Sequence, residues 1–65
     1  MTKHDKVRWL LESGAFSTVE ISRKLHIADP RSSIRVLRGM GVPVQDYWMQ
    51  TSDGVRYKKY FIKYV

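Results

Sequence analysis

Apolar residues recur at three- and four-residue steps as far as Met40, and after Gly41 they give way to runs of β-formers. Val7, Leu10 and Leu11 share one face of a helix over residues 3–13, opened by Thr2 with Asp5 three positions on and stopped by Gly14. Trp9 lies on the opposite side of that helix, where it either covers a neighbouring element, the usual fate of a large aromatic, or marks an exposed contact. Ala15-Phe16 leaves room for one extended step. Ser17-Thr18-Val19-Glu20 then has the form of a capping box, so a second helix starts there and ends near Leu25. Its inner face is Ile21, Ser22 and Leu25, with Ser22 small enough to admit another helix, and Ile27 is an apolar anchor past the turn. Asp29-Pro30 supplies an N-cap acceptor and the imide residue favoured at the first helical position. Ile34, Leu37 and Met40 follow at threes, predicting a third helix over residues 30–40.

Beyond Gly41 come Val42, Val44, Tyr47, Trp48, Met49 and Thr51, then Val55, Tyr57, Tyr60, Phe61, Ile62 and Tyr64. Ser52-Asp53-Gly54 separates the two runs, and Asp-Gly supplies the positive φ values of a tight hairpin turn. Parity puts Tyr60 and Ile62 on one strand face as core, and it forbids Lys58 and Lys59 both to face outward without a bulge. The expected class is α+β: three helices followed by a two-stranded β-hairpin, with a short extra strand near Ala15-Phe16.

At 65 residues the chain makes one domain, residues 1–65, too small for separate catalytic and binding lobes. A hydrophobic content of 43% suffices for a three-element core. There is no cysteine, and His4 and His26 stand too far apart from other ligand types to suggest a metal site. No Ser-His-Asp set, paired-carboxylate cleft or Gly-rich phosphate loop can be assembled, so neither an enzyme nor a cofactor or small-molecule site is expected. His26, in the turn between two helices, suits a capping role or a phosphate contact. No apolar run approaches the ~20 residues of a membrane span, which leads to the expectation of a cytoplasmic protein that does not engage membranes.

Charge changes the picture most. The net charge is +6, and a basic balance of that size points to a polyanion. It is also zoned: residues 30–45 hold Arg31, Arg35 and Arg38, residues 55–65 hold Arg56, Lys58, Lys59 and Lys63, and neither segment contains an acid. On a helical wheel the three arginines fall within ~60° of one another, opposite Ser33, Ile34 and Leu37, with Ser32 and Gly39 flanking them. A guanidinium pairs bidentately with guanine or phosphate, and a helix fits the major groove. Gly39 costs ~1 kcal/mol relative to alanine inside a helix, which a close backbone approach or fraying at the helix end would explain. The strand after the hairpin tip, Arg56-Tyr57-Lys58-Lys59-Tyr60, interleaves cations with aromatics that can lie along a backbone or in a minor groove.

The spacing of Ile21, Ser22, Leu25 and Ile27, followed by Ile34 and Leu37, matches a helix-turn-helix whose turn is lengthened by Ala28 and Asp29. With the hairpin behind it, this is a winged helix-turn-helix. The stretch from Ile34-Arg35-Val36-Leu37-Arg38 through Gly41-Val42-Pro43-Val44 and Trp48-Met49 to Gly54-Val55-Arg56-Tyr57-Lys58-Lys59-Tyr60 resembles the small winged helix-turn-helix proteins of bacteriophages and bacterial mobile elements. That family usually carries an aromatic where Val42 stands. The resemblance implies DNA binding in transcriptional control or in phage and element maintenance, within a bacterial or phage-infected cell.

The sequence therefore leads to a double-stranded DNA-binding module with Arg31, Ser32, Arg35 and Arg38 forward in the major groove and Arg56, Lys58 and Lys59 on backbone or minor groove. The competing reading is an interaction module that docks the same basic face on an acidic protein partner. One helix and one wing bury only ~600–1,000 Å² on DNA, yet no heptad helix offers a dimerisation seam. A monomer in solution that assembles on adjacent DNA sites is expected, with Trp9 and the free edge of the last strand, Tyr60 to Val65, as the candidate contacts.

Overall fold

The computed structural model describes residues 1–64, and Val65 lies outside it. Three helices, α1 (Lys3–Ser13), α2 (Thr18–Leu25) and α3 (Pro30–Gly39), precede two strands, β1 (Val44–Gln50) and β2 (Arg56–Ile62). This α+β layout is consistent with a winged helix.

Local chemistry sets the helix ends. In both capping boxes the backbone and side chain exchange hydrogen bonds: Asp5 N–H donates to Thr2 Oγ1 (3.2 Å) and Thr2 N–H to Asp5 Oδ2 (3.0 Å), while Glu20 N–H donates to Ser17 Oγ (3.2 Å) and Ser17 N–H to Glu20 Oε1 (3.0 Å). Those backbone donors hold both carboxyls below their ordinary range, and the Lys59 ammonium adds to the effect at Glu20. Asp29 departs from expectation. It occupies the N-cap position of α3, but its side chain makes no capping bond, and Pro30 at the first position removes one of the donors that would need one.

Helix α3 closes in a Schellman motif: Gly41 N–H donates to Arg38 O and Val42 N–H to Leu37 O, both at 3.0 Å, with Gly41 at φ 86°. The chain thus leaves the helix before Met40 can join the core, and buried Val42 packs there instead, leaving Met40 67% exposed. The geometry explains the difference from the expected stripe. Three residues turn a helix by ~300°, so a row spaced at threes drifts by ~60° per step and its third member leaves the buried side. At the end of α2, His26 sits in the left-handed region (φ 54°) and its backbone N–H donates to Ser22 O, so it caps through the main chain. Ser22 does more than make room, since its hydroxyl also donates to Ile27 O at 2.6 Å.

The core comprises Val7, Leu10 and Leu11 of α1, Ile21 of α2, Ile27, Ile34 and Leu37 of α3, and Val42, Val44 and Ile62, with Phe16, Leu25 and Tyr60 packed around it. One polar contact crosses this core: the fully buried Ser33 hydroxyl and His4 Nδ1 are hydrogen-bonded at 2.9 Å, joining α1 to α3. Helices α2 and α3 and strand β2 all pack on the inner side of α1. Trp9 lies off that packing, beside Lys24, Leu25 and His26 at the end of α2, and stands 61% exposed.

Strands β1 and β2 pair antiparallel without a bulge, from Val44 opposite Ile62 to Gln50 opposite Arg56. Phe16 and Tyr60 exchange backbone hydrogen bonds of 2.9 and 2.8 Å, so the extended step near Ala15-Phe16 adds a one-residue third strand beside β2. The bridge occupies the outer edge of β2 at Tyr60, while β1 has no partner on its outer side among the described residues. Tyr64 lies past β2, where its hydroxyl donates to Glu12 Oε2 (2.6 Å) and accepts from Arg8. The hairpin tip is a three-residue loop: Thr51 N–H donates to Val55 O (2.8 Å) and Gly54 N–H to Thr51 O (3.0 Å). Gly54 alone takes a positive φ there (90°), not Asp53, because the extra residue relieves the two-position demand of a tighter turn.

Candidate nucleic-acid interface

Helix α3 buries Ser33, Ile34 and Leu37, which turns Arg31, Arg35 and Arg38 toward the hairpin and Ser32, Val36 and Gly39 to the outside. In the hairpin, register puts Val44, Asp46, Trp48, Arg56, Lys58, Tyr60 and Ile62 on a common face. Val44 and Ile62 are buried against the helices, so the same face, followed toward the tip, directs Trp48, Arg56 and Lys58 at α3. Between the two elements lie a groove lined by Arg31, Ile34, Arg35, Arg38 and Tyr60 and a cleft of ≈ 740 Å³ reaching Trp48, Arg56, Lys58 and the start of α2 at Ser17 and Thr18. Arg31 and Tyr60 line both, and together they form one concave trough.

Five cations line this trough, and two of them, Arg38 and Lys58, face the carboxylate of Asp46 on the same side of the hairpin. Arg38 is the most constrained of them: it donates through Nη2 to Asp46 Oδ2 at 2.8 Å and through Nε to Val44 O at 3.2 Å, and its guanidinium lies 5.8 Å from the Tyr60 ring centre. Lys58 Nζ stands 4.0 Å from the other Asp46 oxygen. Arg56 and Lys58 each approach the Trp48 ring to 5.1 Å, so an exposed indole carries a cation on either neighbour. Among the described residues Arg31, Arg35 and Arg56 have no carboxylate within ion-pair distance.

Five of the seven residues singled out from sequence, Arg31, Arg35, Arg38, Arg56 and Lys58, line this trough. Ser32 lies beside it on the outer side of α3, its hydroxyl donating to Asp29 O at 3.0 Å. Lys59 is farther off. Parity places it on the opposite strand face, where its ammonium lies 3.7 Å from Glu20 Oε1. His26 is also elsewhere, beside Trp9, Lys6 and Lys24 at the far end of α2, and contributes nothing to the trough. At Gly39 an added Cβ would meet nothing within 4 Å, so contacts inside the protein do not require a glycine there. Two residues of the trough escaped the sequence reading, Asp46 and Trp48. For both the signal was available in strand parity with Lys58.

Comparisons with protein-family models, with curated proteins and with solved structures find no match for this chain. The functional reading therefore rests on the trough itself. No group of three or more His, Cys, Asp or Glu side chains that could hold a metal ion occurs among the described residues, and no described helix is long and apolar enough to cross a membrane.

Proposed function

We propose that the protein binds double-stranded DNA, with α3 in the major groove and the hairpin as a wing on the adjacent backbone or minor groove. The observation that carries this reading is the trough: two elements remote in sequence present five cations on one concave side, and three of them have no internal partner. Arg31, Ser32 and Arg35 occupy the side of α3 that would meet base edges, where an arginine fork pairs with guanine O6 and N7. Arg38 meets phosphate at the rim while bracing α3 against the wing. Arg56 and Lys58 follow the backbone, and Trp48 offers an apolar face to sugars between them. Lys59 takes no part. Gly39, on the outer side of the helix, lets a phosphate come close to the main chain.

The resemblance noted in the sequence makes transcriptional control, or maintenance of a phage or mobile element, the role of such a module. The protein acts as a monomer that occupies adjacent sites when more than one copy is bound. Selection from a random-sequence duplex library tests the reading directly. Enrichment of a site of one or two helical turns is expected, and a library that stays unenriched, with binding that ignores sequence, points instead to an acidic protein as the partner of the basic face.

A further inference from the structure

We infer that Asp46 damps the phosphate affinity and salt dependence of the trough by holding two of its cations back from phosphate. The inference rests on the DNA-binding reading above and adds a function to a residue which that reading leaves idle. Among the described residues Asp46 is the carboxylate that pairs with cations of the trough, and each of its oxygens faces a different one: Oδ2 takes Arg38 at 2.8 Å and Oδ1 faces Lys58 at 4.0 Å. Arg38 is further tied by Val44 O, whereas Lys58 has the longer and looser contact.

Any duplex, whatever its sequence, offers phosphates to these two side chains, and its gain is reduced because each cation must leave or share Asp46. The carboxylate also repels phosphate placed between them. Arg31 and Arg35, on the side of α3 facing bases, have no such competitor. The counterion-driven share of binding is thereby lowered on every duplex, while the base-reading share is untouched.

Asp46→Asn tests this, since it keeps the shape and an acceptor for Arg38 but removes the charge. Affinities for a random-sequence 20-base-pair duplex and for the selected site are measured by fluorescence anisotropy from low to high NaCl, with a thermal melt of each protein. For the random duplex, binding at low salt should tighten about three- to tenfold and the slope of log affinity against log salt should steepen by about one to two units, as expected for one or two added phosphate contacts. The selected site offers the same phosphates and should tighten by a similar factor. Asp46→Ser, which removes the charge with a smaller side chain, should steepen the slope equally.

Unchanged slopes in both variants, or parallel weakening on both duplexes with a lowered melting temperature, would reduce Asp46 to a strut and overturn the inference while leaving DNA binding intact. Wild-type protein that binds neither duplex overturns the DNA reading, and the role of Asp46 with it.

Discussion

Arg35 and Arg38 sit one turn apart on the same edge of α3, and the structure separates what their removal should do. Arg38 makes a guanidinium contact to Asp46 at 2.8 Å and an Nε bond to Val44 O at 3.2 Å. Its side chain is 45% exposed, so the ion pair is screened and contributes only ~0.2–1 kcal/mol. The bond to the carbonyl adds about as much again. Arg38→Ala should therefore cost about 1–2 kcal/mol, which in a domain of this size lowers Tm by roughly 5–15 °C. Arg35 has neither contact, and Arg35→Ala should move Tm by less than about 4 °C. Binding reverses the order. Loss of a bidentate base contact costs ~1–3 kcal/mol, so Arg35→Ala should weaken the selected site about 5- to 150-fold and relax preference at one base step. Differential scanning fluorimetry and anisotropy on the same preparations supply both numbers. Equal melting temperatures for the two variants would refute the bracing role of Arg38, and an Arg35→Ala protein with undiminished affinity and preference would refute the placement of α3 in the groove.

Acid should destabilise the fold through its caps. The Asp5 and Glu20 carboxyls lie below their ordinary range when folded, so their stabilisation is complete above the unfolded values near pH 4 and is lost as pH falls through the lower folded ones. Urea midpoints between pH 6 and pH 2 should fall most steeply below about pH 4, and Glu20→Gln, which removes the titrating carboxyl, should flatten that fall; a pH-independent midpoint would contradict the assignment. His26→Gly should raise stability by about 0.5–1 kcal/mol in urea melts by relieving the left-handed backbone at φ 54°, and a loss would show that the imidazole matters more than the main chain. Sedimentation at tens of micromolar should find a monomer without DNA, and a stable dimer there would contradict assembly on adjacent sites.

The parts legible in the sequence were those whose cause is local. Thr2 with Asp5 and Ser17 with Glu20 fix helix starts within four residues, and Gly41 fixes an end through its own φ. Burial along a helix is a tertiary matter, and there Met40 misled, because a three-residue row drifts; Trp9, for which both a covering and an exposed role were open, borders the end of α2 and stays largely exposed. Asp29 looked like a cap from its position alone. The His4–Ser33 bond joins residues 29 apart in sequence, and no short pattern announces it. For the site, the charge zones located α3 and the wing, but cutting them at residue 45 placed Asp46 just outside the basic segment, whereas the hairpin folds it between Arg38 and Lys58. Lys59 failed for a related reason: adjacent strand residues alternate faces, and only the burial of Ile62 decides which face looks at α3.

The central claim is that the trough neutralises duplex phosphates, and the salt dependence of duplex binding tests it most directly. Each phosphate contact contributes about 0.9 to the slope of log affinity against log salt. With Arg56 free of a carboxylate among the described residues and Arg38 and Lys58 shared with Asp46, these three backbone contacts should give the wild type a slope of about −1 to −3 on a 20-base-pair duplex. Binding that is absent at low salt, or whose affinity does not change with salt, would contradict the account.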